Sequence, residues 1–331
     1  MAPFNNTTTH PLDCGFSLNT IQLVTGALYI LLFLPALFLN VTAVWISMHL
    51  HSKSTFIVYL KNLVAADLLM TMTLPIRAAS ELPGASLGLR AFSCRFNSVV
   101  FYLCFYISII LMGLISLDRF FKIVRPWGKV LGQSILFARL VTALIWALML
   151  SFNIIPTMVL TNQEPSNIST ELCMGMKNPA GAQHHKNMVE AQTILFWTVS
   201  VVVALSYSCI AKKVFESYQK SGSSNVKGRR KTNSRVFVVL VVFLVCFAPY
   251  HIIRIPYTAV QVKNKTNCTW AALKAAKEIS LCLSSTNICL DPLIYFFLCK
   301  TFRKKLSEFS FLPKYTSSSS SKDDPVTESR L

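Results

Sequence analysis

Seven long apolar stretches alternate with short polar segments, at about residues 20–48, 56–82, 92–124, 135–160, 188–214, 234–260 and 272–299. A helix of about 18–25 mostly apolar residues crosses a hydrocarbon core roughly 30 Å thick. The pattern therefore predicts an all-α membrane protein with seven spans. The second and seventh stretches are the least uniform, each holding an aspartate, Asp67 and Asp291. Three parts follow: an extracellular segment over residues 1–19, a membrane domain over 20–299, and a cytoplasmic tail over 300–331. The tail is expected to be largely disordered after a short juxtamembrane helix, because "YTSSSSSKDDPVTESRL" is polar and of low complexity. Residues 1–19 lack a basic start followed by an apolar core, so the first span is expected to serve as an uncleaved signal.

Composition agrees with this reading, since 53% hydrophobic and 14% charged residues make the chain too apolar for a soluble globule. The distribution of charge then sets the orientation. Basic residues crowd into "AKKVFESYQKSGSSNVKGRRKTNSR" after span five and "CKTFRKK" after span seven, and short loops rich in lysine and arginine stay in the cytoplasm. An inner carboxyl terminus and seven spans put the amino terminus outside, the topology of a multi-pass plasma-membrane protein. The glycosylation sequons at Asn5, Asn6, Asn167, Asn264 and Asn267 all fall on segments this topology places outside. Another, Asn40-Val-Thr, lies within span one and is expected to be inaccessible. The net charge of +18 is thus mainly an orientation signal that also attracts anionic lipids, and it implies no nucleic-acid partner.

Of ten cysteines, Cys104, Cys209, Cys246, Cys282 and Cys289 lie within spans and are read as packing residues. Cys14, Cys94, Cys173 and Cys268 face the oxidising exterior, where four thiols allow three pairings. Cys299, beside basic residues just past span seven, is a palmitoylation candidate.

Polar groups inside the membrane cost free energy and usually mark a function or a specific pairing. Asp67 in "NLVAADLLM" lies about 16 Å into span two, near the midplane. Asp291 in "NICLDPLIYFF" supplies a second acid, and Asn40, Ser108 and Asn287 add neutral oxygens. The group suits a small cation or a shared proton, or else a hydrogen-bonded structural network with one acid neutral. At the inner end of span three, "SLDRFFKIVRP" sets Asp118 beside Arg119. Pro249 and Pro292 each remove a backbone donor, so spans six and seven are expected to kink there.

Span six ends in "VCFAPYHIIRIPYT". Arg254 lies about 28 Å along that helix from Arg235, near the outer edge of the core. His251, Arg254, Tyr257 and Gln261 follow at helical spacing on one face. Lys277 occupies the outer part of span seven and Tyr102 that of span three. Such a cluster fits a ligand with phosphates and a flat ring, since arginine forks onto phosphate oxygens and tyrosine stacks on bases. The alternative is that Arg254 and Lys277 snorkel to the interface, with Glu278 as a partner. No G-x-S-x-G, H-E-x-x-H or zinc-spaced cysteine pair is present, so there is no enzyme signal. Nor is there the repeat symmetry of a transporter.

The ordered set of Asp67, "SLDRF", Trp146, "CFAP" and D-P-x-x-Y resembles the rhodopsin-like family of G-protein-coupled receptors from Asn40 to Cys299. That resemblance implies a rhodopsin-type seven-transmembrane helix bundle and a Cys94–Cys173 disulfide. It further implies a sodium pocket at Asp67, Ser108, Asn287 and Asp291, and a switch in which Arg119 and Tyr295 reposition as span six swings outward. Ser285 stands where a retinal protein would carry its lysine. The chain departs from the family pattern at Phe120, Val199, Phe247 and Asp291. "STFIVYLKN", "AAKEISL" and "CLDPLIYFFLCK" are similar to the purinergic nucleotide receptors, in the branch answering adenosine diphosphate or uridine diphosphate sugars. This implies ligand roles for Arg90, Tyr102, Lys177, His185, His251, Arg254, Tyr257, Gln261 and Lys277, and a second disulfide, Cys14–Cys268. Val189 stands where the adenosine-diphosphate receptor places an asparagine. The expected ligand is adenosine diphosphate, with uridine diphosphate sugars or an anionic lysophospholipid as alternatives. The expected partners are an inhibitory heterotrimeric G protein, arrestin and a receptor kinase.

Overall fold

The computed structural model describes residues 17–50, 54–124, 134–164, 172–220, 226–262 and 268–298. These are helical almost throughout and contain no strand. Helices α1 (Leu18–Met48), α2 (Thr55–Glu81), α3 (Leu87–Val124), α4 (Ile135–Leu160), α5 (Pro179–Lys220) and α6 (Val226–Val262) form the first six spans. The seventh is made of α7 (Cys268–Ser285) and α8 (Asn287–Leu298), interrupted at Thr286. There the Thr286 amide donates to the Leu283 carbonyl at 3.1 Å, and the Cys289 amide donates to the Thr286 carbonyl at 3.0 Å. A three-residue bond thus closes α7, and the Thr286 carbonyl opens α8 by accepting from the Leu290 amide at 3.2 Å as well.

Local chemistry explains several helix starts. The Ser86 and Ser134 hydroxyls accept from the Leu89 and Phe137 amides at 3.2 and 3.0 Å, and the Asn178 side chain accepts from the Gly181 amide at 2.7 Å. Each satisfies an amide that the first helical turn leaves without a partner. Gly84, with φ of 91°, makes the reversal from α2 into α3 that a side-chain-bearing residue would strain.

Helices α1, α2, α3, α5, α6 and the seventh span pack in a closed ring, while α4 lies outside against α2, α3 and α5. Burial separates these roles: 67% of the apolar stretch of α3 is buried, against 11% of α4. Their lipid-facing surfaces carry exposed Leu31, Phe38, Leu140, Ile194 and Leu205, the inverse of a soluble protein's surface. The core is rich in aromatic rings, with Phe101, Phe105, Tyr106, Phe196, Phe243, Phe247 and Tyr250 all buried.

Close approach of α3 and α5 depends on Gly113. A β-carbon there would lie 2.8 Å from a methyl of Val199, whose β-branched side chain has little rotamer freedom to yield. Gly113→Ala is expected to cost about 1–3 kcal/mol in thermal unfolding of the purified receptor. Adding Val199→Ala should restore most of that loss, and failure to do so would show the glycine is needed for another reason.

One cysteine departs from the sequence expectation. Cys209 is exposed on α5 rather than packed, whereas Cys104, Cys246 and Cys282 are buried as expected. Asn40 is fully buried and donates to the Ala36 and Ile288 carbonyls at 2.9 Å each, so its sequon is closed to glycosylation. Cys94 and Cys173 are bonded to one another. Cys268 is disulfide-bonded, and Cys14 lies outside the described residues, as do Asn5, Asn6, Asn167, Asn264, Asn267, Cys299 and the tail.

Candidate ligand-binding site

Near the carboxyl-terminal end of α6, at the end of the bundle expected from the sequence to face outward, Arg254 projects inward, so that it is 7% exposed and does not snorkel. Its guanidinium lies 5.8, 6.0 and 5.9 Å from the ring centres of Tyr102, Tyr250 and Tyr257. It also donates to the His185 ring, Nη2 to Nε2, at 3.3 Å. Among the described residues no carboxylate lies within ion-pair distance of it. A buried cation held only by rings and an imidazole is poorly compensated. An anion entering the site would complete its coordination.

Lys177 sits outside the membrane helices, close enough to feel Arg254. Its ammonium donates to the Thr161 hydroxyl at 3.0 Å. Burial, reinforced by the charge of Arg254, pushes it down from its ordinary 10.5 to about 8. Arg90 is half-buried and donates to the Leu82 carbonyl at 3.1 Å.

Lys277 has a different environment. It is bonded to the Glu278 carboxylate at Oε1, while Arg77 Nη2 reaches Oε2 at 3.4 Å. All three side chains are at most 10% exposed. Glu278 is thus the partner considered for Lys277, but inside the bundle rather than at the interface. Arg77 is a further buried charge within span two that meets the same criterion as Asp67, a polar group inside the membrane, and is legible in the sequence on that ground. It lies 4.7 Å from the Phe101 ring centre and 5.2 Å from that of Tyr29. Lys274, one helical turn before Lys277, is also buried, with its ammonium 5.1 Å from the Trp270 ring. A polar cavity opens on Lys274, Lys277 and Glu278, and is lined also by Glu81, Arg90, Tyr257 and Gln261.

His251 forms the floor. It stacks on Phe196 with ring centres 3.9 Å apart and planes 9° from parallel. Its Nδ1 bonds to the Phe247 carbonyl at 2.8 Å, which makes that nitrogen the donor, and buried Nε2 has no hydrogen-bond partner. An acceptor is therefore left below Arg254, able to receive an N–H or O–H from a ligand. Val189, on α5, is buried.

Deeper in the bundle the Ser108 hydroxyl donates to Asp67 Oδ1 at 3.0 Å, and Asn287 Nδ2 donates to Asp291 Oδ2 at 2.7 Å. The two carboxyl groups belong to one buried polar cluster. Three buried oxygens here, Asn40 Oδ1, Asp67 Oδ2 and Asn287 Oδ1, have no hydrogen-bond partner. Such an oxygen-rich donor set fits a hard cation. Below it an apolar cavity, lined by Met112, Tyr207, Phe243, Asp291 and Ile294, leads toward the inner end.

At that inner end the neighbouring charges do not pair with one another. Asp118 is held by Lys122 at 2.8 Å and by the Thr55 hydroxyl, whereas Arg119 lies 3.9 Å from the Phe56 ring centre. Lys122, at i+4, escapes the sequence reading although the spacing is that of a helical ion pair. Phe247 is buried against Phe105 and Phe243, and Pro249 and Pro292 lie inside α6 and α8. The side chain of Tyr295 is outside the described residues. Trp146 donates its indole N–H to Asn62 at 3.1 Å, tying α4 to α2.

Comparison with known proteins gives the lineage. A family profile described as 7 transmembrane receptor (rhodopsin family) matches residues 38–295. The chain is 45% identical over 307 residues to purinoceptor 13 of Homo sapiens, covering 92% of this chain and 85% of the relative. It is 39% identical to purinoceptor 14 of Bos taurus, covering 84% and 83%. With G-protein coupled receptor 87 of Mus musculus the identity is 37%, covering 86% and 79%. With its ring of membrane helices, the chain belongs to the rhodopsin family of seven-transmembrane receptors, signalling proteins rather than enzymes, and within it to the purinoceptors.

Proposed function

We propose that this multi-pass membrane protein is a plasma-membrane receptor for an extracellular nucleotide, foremost adenosine diphosphate, and that it activates a heterotrimeric G protein of the inhibitory class. The observation that carries the reading is Arg254, a buried cation among three tyrosines with no carboxylate partner among the described residues. Its planar fork suits phosphate, and the surrounding rings suit a base. Lys277 lies on the facing helix, its ammonium 5.4 Å from the Tyr257 ring centre. Phosphates bridging Arg254 and Lys277 would draw the outer ends of α6 and the seventh span together. Such a ligand shifts the receptor population only by the difference in its affinity for the two states. The outer location of the site requires the amino terminus outside, as the basic inner segments also indicate.

G-protein activation in cells expressing the chain tests the proposal across adenosine diphosphate, uridine diphosphate, uridine diphosphate glucose and lysophosphatidic acid. A response to adenosine diphosphate at the lowest concentration supports it. A response to the lipid alone overturns the nucleotide assignment.

Lys177 adds a pH dependence. Its charge is present below about pH 8 and lost above it. Nucleotide affinity is therefore expected to fall as pH rises from about 7 to 9, and Lys177→Arg should flatten that profile. Folding responds in the opposite sense. Between about 8 and 10.5 the unfolded chain holds the proton that the folded one has released, so this group favours folding as pH rises.

We also propose sodium as an allosteric ion held by Asp67 and Asp291, with Asn40, Ser108 and Asn287 around it. The oxygens without hydrogen-bond partners support this assignment. The ion would balance two carboxylates that cannot otherwise both ionise side by side.

A further inference from the structure

The two principal cations of the outer site are not equivalent. Arg254 has no carboxylate partner among the described residues, whereas Lys277 is already bound to one. An incoming phosphate can occupy Arg254 directly. At Lys277 it meets the negative charge of Glu278 and competes with it for the ammonium, and a carboxylate pushed aside and left buried without a cation would be strongly unfavourable.

Arg77 offers the displaced group a place to go. Its contact with Glu278 Oε2 is 3.4 Å, longer than the roughly 2.7–2.9 Å of a well-formed charge-assisted bond. Its Nε is buried and has no hydrogen-bond partner, so the guanidinium keeps donor capacity in reserve. Aromatic rings of Tyr29 and Phe101 hold it in place. A small movement of Glu278 toward α2 would turn one long contact into a two-pronged pair and free Lys277.

We propose that Glu278 is a built-in competitor for the ligand's phosphate, occupying Lys277 in the resting receptor and passing to Arg77 when phosphate arrives. The inference rests on the reading that this site binds a phosphorylated ligand, and it names what sets selectivity within that class. A terminal phosphate carries about −1.5 to −2 charge near pH 7 and outcompetes a carboxylate for Lys277. A phosphate esterified on both sides carries a single charge and competes poorly. Glu278 therefore selects ligands that end in a free phosphate over those in which a sugar caps it.

Adenosine diphosphate and adenosine diphosphate ribose share the base and differ at the terminal ester, so they are the probes. Wild-type receptor is expected to prefer the first by at least about tenfold, the equivalent of one charge-assisted hydrogen bond. Glu278→Gln should narrow that preference about tenfold by raising affinity for the ribose ester, at matched surface density. In a Lys277→Gln background the effect should vanish. An unchanged preference, a loss of affinity for both probes, or an effect that persists without Lys277 overturns the inference. Glu278→Asp, which keeps the charge but withdraws it from Lys277, should narrow the preference in the same direction.

Thermal unfolding of purified receptor with inorganic pyrophosphate separates this inference from the nucleotide reading. Glu278→Gln should gain more stability from pyrophosphate than wild type does. An equal or smaller gain, or none in either protein, overturns the competitor role. A larger gain without any nucleotide response overturns only the nucleotide assignment.

Discussion

Arg254→Ala is expected to raise the concentration of nucleotide needed for half-maximal G-protein activation by at least about a hundredfold, with surface expression retained. Two charge-assisted hydrogen bonds from one guanidinium to a phosphate contribute about 1.5–3 kcal/mol each, and each 1.4 kcal/mol is a factor of about ten. Expression should persist because the variant removes a buried charge that no carboxylate among the described residues neutralises. The lost ring contacts with Tyr102, Tyr250 and Tyr257 are a smaller term. Arg254→Lys should fall between the two, since an ammonium keeps the charge but not the fork. Concentration–response curves normalised to surface density make the comparison. Unchanged potency in Arg254→Ala would remove the phosphate-bridge mechanism.

Replacing sodium with a large organic cation is expected to lower the thermal stability of the purified, ligand-free receptor, and Asp67→Asn should abolish that dependence. An ion present at a hundredfold excess over its dissociation constant stabilises by about 2.7 kcal/mol. For a chain of this size that corresponds to several degrees in Tm, at about 2–4 °C per kcal/mol. Without the ion, two buried carboxyl groups in one cluster cannot both ionise without a large penalty. Asp67→Asn leaves one acid and an amide that can donate to it, so sodium has little left to compensate. Melting curves in the two salts decide the matter. Equal Tm values for wild type would exclude sodium and leave the shared proton as the resting arrangement.

Much of this architecture is written in the chain's hydropathy. The six long spans and their order follow from apolar runs, and Arg254, Lys277, Tyr257 and Asp67 are identifiable as polar groups at definite depths. The boundaries of α5 are less legible. That helix begins at Pro179, nine residues before its apolar run, because "PAGAQHHKN" is compatible with helix yet carries no membrane signal. Interhelical partners are not legible at all. Nothing in "LPIRAAS" indicates that Arg77 meets Glu278, 201 residues away, since that contact depends on how α2 and α7 are rotated within the bundle. Asp118 and Arg119 are misleading for a related reason. Adjacent residues on a helix point in different directions, so the i+4 neighbour Lys122 takes the acid and Arg119 turns to Phe56.

The interruption at Thr286 bears on how much signal a bound ligand yields. An unbroken helix would carry a tilt at Lys277 directly to Asp291 and Pro292. Here the ladder changes register between them, and the Ser284 hydroxyl ties the joint to the Cys246 carbonyl on α6 at 2.7 Å. The outer and inner halves of the seventh span can therefore be adjusted separately. On the proposed nucleotide reading, occupancy and efficacy become distinct quantities, so a compound that fills the site as tightly as adenosine diphosphate is expected to be able to produce a different output.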